Sequence, residues 1–427
     1  MKRAFWGLFG VALAGAALML WLGLRPPPAP PLDARSPLSL TADSAVERGR
    51  YLATLGNCRA CHTAPQGADY AGGRAIPTPF GTFYAPNITP DPVAGIGTWS
   101  ADDFWRALHD GRSADGTLLY PVFPYTNYTR MTRDDSDALW AWLQTVPAAP
   151  DPNRDHDLRF PFDQRLLLVG WRALFFRAGV FEADPAQDAV WNRGAYLVQG
   201  PGHCSACHAA RNALGAPSPA TPAGGLVLNW YAPSLTALAE AGVQHWSAAD
   251  IVTVMRDGKG PTASTLGPMA EVVFESLQHW RDDDLQAMAH YLRRLPPTVA
   301  PADGGGVRVP NRVVPEMQAR GENLYRQHCA DCHGEGGEGR TPAAPPLAGN
   351  RAVQLASPVN AVRVVLHGGY PPGTAGNPQP FGMPPYGFQF SDQEVADVLT
   401  FVRGAWGNAA APVSPEDVRR LRGSPLW

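Results

Sequence analysis

The sequence predicts a mainly α-helical chain of three tandem small domains behind an apolar N-terminal segment. Three observations carry that reading: a cysteine motif that occurs three times, a set of helical patterns recurring in the same order around each copy, and one long uncharged run at the start. The 427 residues suffice for about three domains. Gly and Pro number 44 each and only 17% of residues are charged, which points to compact, loop-rich domains with modest helices. A hydrophobic share of 45% excludes wholesale disorder. A net charge of −3 gives no basic footprint, so no nucleic-acid partner is expected.

The uncharged run is Ala4 to Leu24, preceded by Lys2 and Arg3 and followed by Arg25. As a helix it would reach roughly 31 Å, enough to cross a bilayer. The positive start predicts a cytoplasmic N-terminus and an exported remainder. Leu22-Gly23-Leu24-Arg25-Pro26 offers no small-x-small cleavage site, which favours an uncleaved anchor over the alternative, a signal peptide. Residues 1–25 are therefore expected to be an anchor or signal, and 26–42 a stiff Pro-rich spacer beginning with Pro26 to Pro31.

All six cysteines fall in one pattern: Cys58-Arg59-Ala60-Cys61-His62, Cys204-Ser205-Ala206-Cys207-His208 and Cys329-Ala330-Asp331-Cys332-His333. C-x-x-C-H is the attachment motif of c-type haem. Two thiols join the two vinyl groups, and the adjacent His meets the iron as proximal ligand. Three disulfides would pair cysteines too close to act as staples, and a zinc site would leave the three histidines unexplained. The expectation is three covalently bound c-type haems.

The flanking sequence repeats with the motif. A helical lead precedes each copy, as Arg48-Gly49-Arg50-Tyr51-Leu52, Arg193-Gly194-Ala195-Tyr196-Leu197 and Arg320-Gly321-Glu322-Asn323-Leu324-Tyr325. A Pro-x-apolar step follows at Pro86, Pro233 and Pro345. Next comes a helix ending at Gly, over 102–111, 248–258 and 359–368, and then an amphipathic helix with an acidic start, over 134–143, 282–292 and 392–402. In the last helices the spacings Asp135 to Trp142, Asp284 to Tyr291 and Glu394 to Phe401 each set an aromatic where it can pack the last helix on the first. The expected division is 43–146, 188–296 and 316–407 for the domains. Linkers cover 147–187 and 297–315, and a tail covers 408–427. Within the first linker, Arg165 to Arg177 is expected to form an apolar helix that either bridges two domains or docks a partner or the bilayer.

Each of these units resembles a class I cytochrome c. More closely, the chain resembles the tri-haem cytochrome c subunits of bacterial membrane-bound dehydrogenases for alcohols, gluconate, sugars or aldehydes. The resemblance lies in Ala85-Pro86-Asn87-Ile88-Thr89-Pro90-Asp91, Gly95-Ile96-Gly97-Thr98-Trp99, Leu119-Tyr120-Pro121, Gly202-His203-Cys204, Arg211-Asn212-Ala213-Leu214-Gly215 and Gly267-Pro268-Met269-Ala270-Glu271, and it spans roughly residues 43 to 405. It implies His62, His208 and His333 as proximal ligands and a methionine between the second and last helix of each domain as distal ligand. Met383 is the candidate in the third domain. In the second it is Met269, with Met255 and Met288 assigned to the core. In the first domain the counterpart of Met383-Pro384 is Phe123-Pro124, so Met131 is the candidate there. His109 is its rival, but it shares a helix-end position with Arg256 and His367, where a cation or polar group suits the dipole. His156 lies in the linker.

The resemblance further implies an electron-transfer subunit on the periplasmic face of the bacterial inner membrane. Its partner would be a catalytic dehydrogenase subunit holding a flavin, a quinone cofactor or molybdenum, and its acceptor membrane quinone or a terminal oxidase. No catalytic residue is expected on this chain. The alternatives are a multihaem enzyme, a peroxidase or oxyanion reductase working at an open first haem, and a free-standing anchored shuttle.

Overall fold

The computed structural model describes residues 2–26, 44–218, 221, 223–299, 305–340 and 344–424, so most of the expected spacer lies outside the described residues. The chain forms two compact units, residues 1–206 with 211–217, and residues 207–210 with 218–427.

The first unit begins with α1 (Lys2–Leu24), then α2 (Ala45–Leu55) and the short α3 (Cys58–His62). An antiparallel hairpin, β1 (Ala75–Thr78) and β2 (Gly81–Tyr84), pairs Ile76 with Phe83. Further on come α4 (Ala101–Asp110), α5 (Tyr125–Tyr128), α6 (Arg133–Leu143), the two-residue β3 (Asp157–Leu158) along β2, α7 (Leu167–Phe175), α8 (Ala189–Gln199) and α9 (Ser205–His208), the last of which runs into the second unit. Helix α4 starts on a Ser100–Asp103 capping box and stops at Gly111, whose φ of 61° suits glycine. Helices α2 and α6 cross at Gly49, where a Cβ would collide with the carbonyl of Ala138. Trp142 packs at that crossing, as the seven-residue spacing predicts. Arg48 Nε donates to the buried Asp135 at 2.9 Å, and Tyr196 of α8 donates its hydroxyl to the same carboxylate.

The apolar helix expected over 165–177 is shorter, Leu167–Phe175, and packs on α1. Buried Arg172 donates to Asp110 Oδ1 at 2.6 Å and to the carbonyl of Gly23 at 3.1 Å, while Arg112 donates to the carbonyl of Leu24 at 2.9 Å. The last carbonyls of α1 are thus satisfied by two guanidinium groups.

The second unit opens with the hairpin β4 (Gly225–Val227) and β5 (Trp230–Ala232), followed by α10 (Ala248–Asp257), α11 (Pro268–Glu275) and α12 (Asp282–Arg294). It continues with α13 (Val314–His328), α14 (Ala330–His333), α15 (Arg351–Gln354), α16 (Val359–His367), α17 (Asp392–Gly404) and α18 (Pro415–Arg422). Helix α13 crosses α17 at Gly321, where a Cβ would collide with the carbonyl of Asp397 and Phe401 lies close by. Arg320 holds Asp397 at 2.6 and 2.9 Å. The C-terminal stretch expected as a tail is instead part of this core. Ser414 caps α18, and Val413 and Val418 bury completely against α16 and α17. Its two buried valines are too few to make a readable pattern in sequence.

Among the described residues no helix is long and apolar enough to cross a membrane. The side chains at 2–5, 7–12 and 16 of α1 are outside that description.

Candidate haem sites

Each cysteine motif lies on a short helical turn: α3, α9 and α14. An i, i+3 spacing on such a turn sets two side chains on one side. None of the six cysteines is joined in a disulfide. Burial pushes the Cys58 thiol up to about 12 and the Cys329 thiol up to about 11, with Cys61 and Cys332 adding to the effect.

The three motif histidines share one device. His62 Nδ1 lies 2.8 Å from the carbonyl of Pro86, His208 Nδ1 2.6 Å from that of Pro233, and His333 Nδ1 3.0 Å from that of Pro345. A ring N–H donated to a carbonyl fixes the tautomer and leaves the Nε2 lone pair for a metal. Burial lowers all three pKa values, against the opposing pull of the carbonyl bond, which keeps the rings neutral and ligating. The prolines of the repeated Pro-x-apolar step are therefore working parts. In the first two repeats a hairpin delivers the proline: Tyr84 and Ala232 end β2 and β5 just ahead of Pro86 and Pro233.

In the second unit a cavity of about 700 Å³ is lined by Cys207, His208 and Met269 and also by Cys329, His333 and Met383. Two proximal histidines and the two methionines expected opposite them thus open into one apolar space. Met288 is buried in the core as expected, whereas Met255 lines this cavity. Trp230 reaches the same cavity with a buried Nε1 that has no hydrogen-bond partner, and the buried Arg363 guanidinium lies 5.3 Å from its ring centroid. An apolar cavity with paired nitrogen and thioether donors and an unpartnered N–H fits a haem with anionic propionates. Neither Trp230 nor Arg363 carries a signal in the sequence that would have marked it.

In the first unit, Tyr128 donates its hydroxyl to the carbonyl of Gly56 at 3.0 Å and is pushed well above its ordinary pKa by burial and by nearby Cys58 and Cys61. Tyr386 repeats this at the third motif, donating to the carbonyl of His328 at 2.8 Å. His203, next to Cys204, places Nε2 3.2 Å from the carbonyl of Gly56, so the start of the second motif adjoins the start of the first. Asn127 adds amide bonds to the carbonyl of Gln199 at 3.0 Å and to Ser205 Oγ at 2.8 Å.

Of the cation or polar group that its helix-end position suits, His109 is the neutral polar group. It is buried, stacked on Trp105 with 4.5 Å between centroids, and its Nδ1 meets the carbonyl of Thr129 at 3.0 Å. Burial lowers its pKa and keeps it neutral. His156 accepts from the Tyr84 N–H at 3.3 Å and packs between Phe83 and Tyr120. Met131 is buried just ahead of Thr132, the N-cap of α6.

Helical lead, haem-motif turn, proline carbonyl and closing helix define a cytochrome c. The profile of the cytochrome c family matches residues 192–296 and 318–406. The cytochrome c subunit of the quinone alcohol dehydrogenase of Gluconacetobacter polyoxogenes is 40% identical over 407 residues, covering 90% of this chain and 86% of that one. The gluconate 2-dehydrogenase cytochrome c subunit of Pantoea cypripedii is 36% identical over 398 residues, with 89% and 90% covered. The fructose dehydrogenase cytochrome subunit of Gluconobacter japonicus is 34% identical over 447 residues, with 98% and 90% covered. The chain belongs to this family of dehydrogenase cytochrome c subunits.

Proposed function

We propose that the chain carries three c-type haems and relays electrons from the catalytic subunit of a dehydrogenase to membrane quinone or another respiratory acceptor. Haem would supply the one-electron chemistry; His208 with Met269 and His333 with Met383 would hold two such groups, and a thioether ligand favours the ferrous state. The shared cavity of the second unit carries this reading. His208 with Met269 and His333 with Met383 open into one space, which supports direct transfer between the second and third haems. The contact of His203 with Gly56 supports the preceding step, from first to second. Dehydrogenases are named with the relatives, which supports a catalytic partner here.

The segment 1–25 is proposed to stay attached as a membrane anchor, with the haem domains on the periplasmic face. The grip of Arg172 and Arg112 on the carbonyls of Gly23 and Leu24 supports a retained helix. The test is purification from the native membrane. Three haems per chain by pyridine haemochrome, a co-purifying dehydrogenase subunit and an intact N-terminus are expected. Two haems, or a chain that starts near Pro30, would refute the corresponding part.

A further inference from the structure

Each motif histidine directs Nδ1 at a proline carbonyl, and the peptide group that owns this carbonyl differs at its other end between the repeats. In the second repeat the group joins Pro233 to Ser234, and the Ser234 N–H donates to Glu240 Oε2. In the first it joins Pro86 to Asn87, and the Asn87 N–H donates to Asn153 Oδ1 at 2.7 Å. In the third the peptide nitrogen is that of Pro346, which carries no hydrogen. The far ends are thus a carboxylate, a neutral amide and nothing. The Nδ1-to-carbonyl distances follow the same order, 2.6 Å at His208, 2.8 Å at His62 and 3.0 Å at His333.

The surroundings of Glu240 suit an anion. It is only 5% exposed. Its partners are all donors: the Ser234 N–H, the Gly224 N–H at 3.2 Å and the Tyr231 hydroxyl at 2.9 Å. Burial and the bond to Glu240 push the Tyr231 pKa up, which keeps that hydroxyl protonated and donating. Among the described residues no lysine or arginine pairs with Glu240, so its charge is not cancelled at the site.

Hydrogen bonds in a chain polarise one another. An anion on the peptide N–H makes the carbonyl of the same group a stronger acceptor. The imidazole Nδ1–H then leans further towards that carbonyl, and Nε2 becomes a better donor to a metal. A ferric ion gains more from a basic ligand than a ferrous ion does. We propose that Glu240 is a positioning residue of the second haem site: through the peptide of Pro233 and Ser234 it raises the basicity of His208 and lowers the reduction potential of the haem held there. This rests on the three-haem reading above.

The test is a spectroelectrochemical titration of the full-length, haem-loaded chain, with the ferric EPR spectrum recorded and the haem at each motif located by peptide mass. Glu240→Gln keeps the shape of the side chain: its oxygen accepts from Ser234 and Gly224 as Oε2 does, and its amide group turns to the Tyr231 oxygen. One midpoint should rise by a change of about tenfold in the ferrous-to-ferric ratio at fixed potential, or ~59 mV, and the others should move less. The EPR g-values of the shifted component should move with it. Tyr231→Phe disturbs the same hairpin but leaves the carboxylate on the Ser234 N–H, so it should not raise that midpoint. Asn153→Asp puts a carboxylate on the corresponding N–H of the first repeat and should lower a different midpoint, by less because position 153 is exposed. Unmoved midpoints in Glu240→Gln overturn the proposal, and so does a Tyr231→Phe chain whose midpoint rises as far. If Glu240→Gln takes up no haem at the second motif, Asn153→Asp decides: a downward shift upholds the proposal, and none or an upward one overturns it. A wild-type count below three strikes the three-haem reading alone if Cys204 and Cys207 still carry haem, and both readings if they do not.

Discussion

The first and third repeats keep the same framework and differ where the iron chemistry is set. Both carry an arginine ahead of a glycine at the helix crossing, a closing-helix aspartate that takes that arginine, a proline carbonyl for the proximal histidine and a tyrosine braced near the first cysteine. The third then offers Met383, and the first has Phe123 and Pro124 ahead of its tyrosine. Framework positions face the polypeptide and are constrained by close packing. Met383 faces the cavity, so a residue in its place is free to change while the fold stays.

The crossings give the sharpest test of that equivalence. A Cβ at Gly49 or Gly321 meets a backbone carbonyl that cannot rotate away. Gly49→Ala and Gly321→Ala should each destabilise the haem-loaded protein by about 3 kcal/mol, the upper range for overpacking. Separate thermal transitions of the haem bands would read this. A mutation harmless in one repeat and severe in the other would break the comparison.

A smaller difference is expected at the aspartates. Asp135 is buried and receives both Arg48 and Tyr196, so Asp135→Ala leaves a buried hydroxyl and a half-buried guanidinium without an acceptor. A loss of about 2 kcal/mol follows. Tyr196→Phe in the Asp135→Ala background should recover part of it, because the orphaned hydroxyl goes too. Asp397→Ala should cost less, because Arg320 is half-exposed and finds water. Denaturant melts of the three variants beside the wild type check this.

How much of this was readable beforehand divides along the same line. Motif, repeat and helix ends were legible because each depends on local chemistry. Ser100 with Asp103 and Ser391 with Glu394 form capping boxes, and Gly111 and Gly258 take the positive φ that ends their helices. The hairpin ahead of Pro233 was not, since its turn places Leu228 and Asn229 at φ of 48° and 61° with no glycine to announce it. The shared cavity was beyond reach because it joins residues up to 195 positions apart, Cys207 and Val402. Met131 became the candidate of the first domain by elimination alone, and the structure buries it directly ahead of the cap of α6.

The least of the expected effects concerns pH, at the histidines that end the second helix of the first and third repeats. His109 and His367 both have lowered pKa values, mainly through burial, but their neighbours differ. At His109 the Thr129 carbonyl and Asp110 pull the other way, whereas at His367 the cations Arg363 and Arg422 push further down. A histidine with a folded pKa below its unfolded value near 6.5 takes up protons on unfolding. Its neutral form therefore costs nothing above pH 6.5, and stability falls as the pH drops below that value, because the unfolded chain is protonated first. His109→Gln and His367→Gln should each flatten the stability curve below about pH 6.5 without changing it at pH 8, once the constant loss of packing is subtracted. Urea midpoints of the haem-loaded protein across that range measure it. Flattening by His367→Gln alone would mean that the opposing groups at His109 cancel its burial, and an unchanged slope in both would remove these residues from the acid sensitivity altogether.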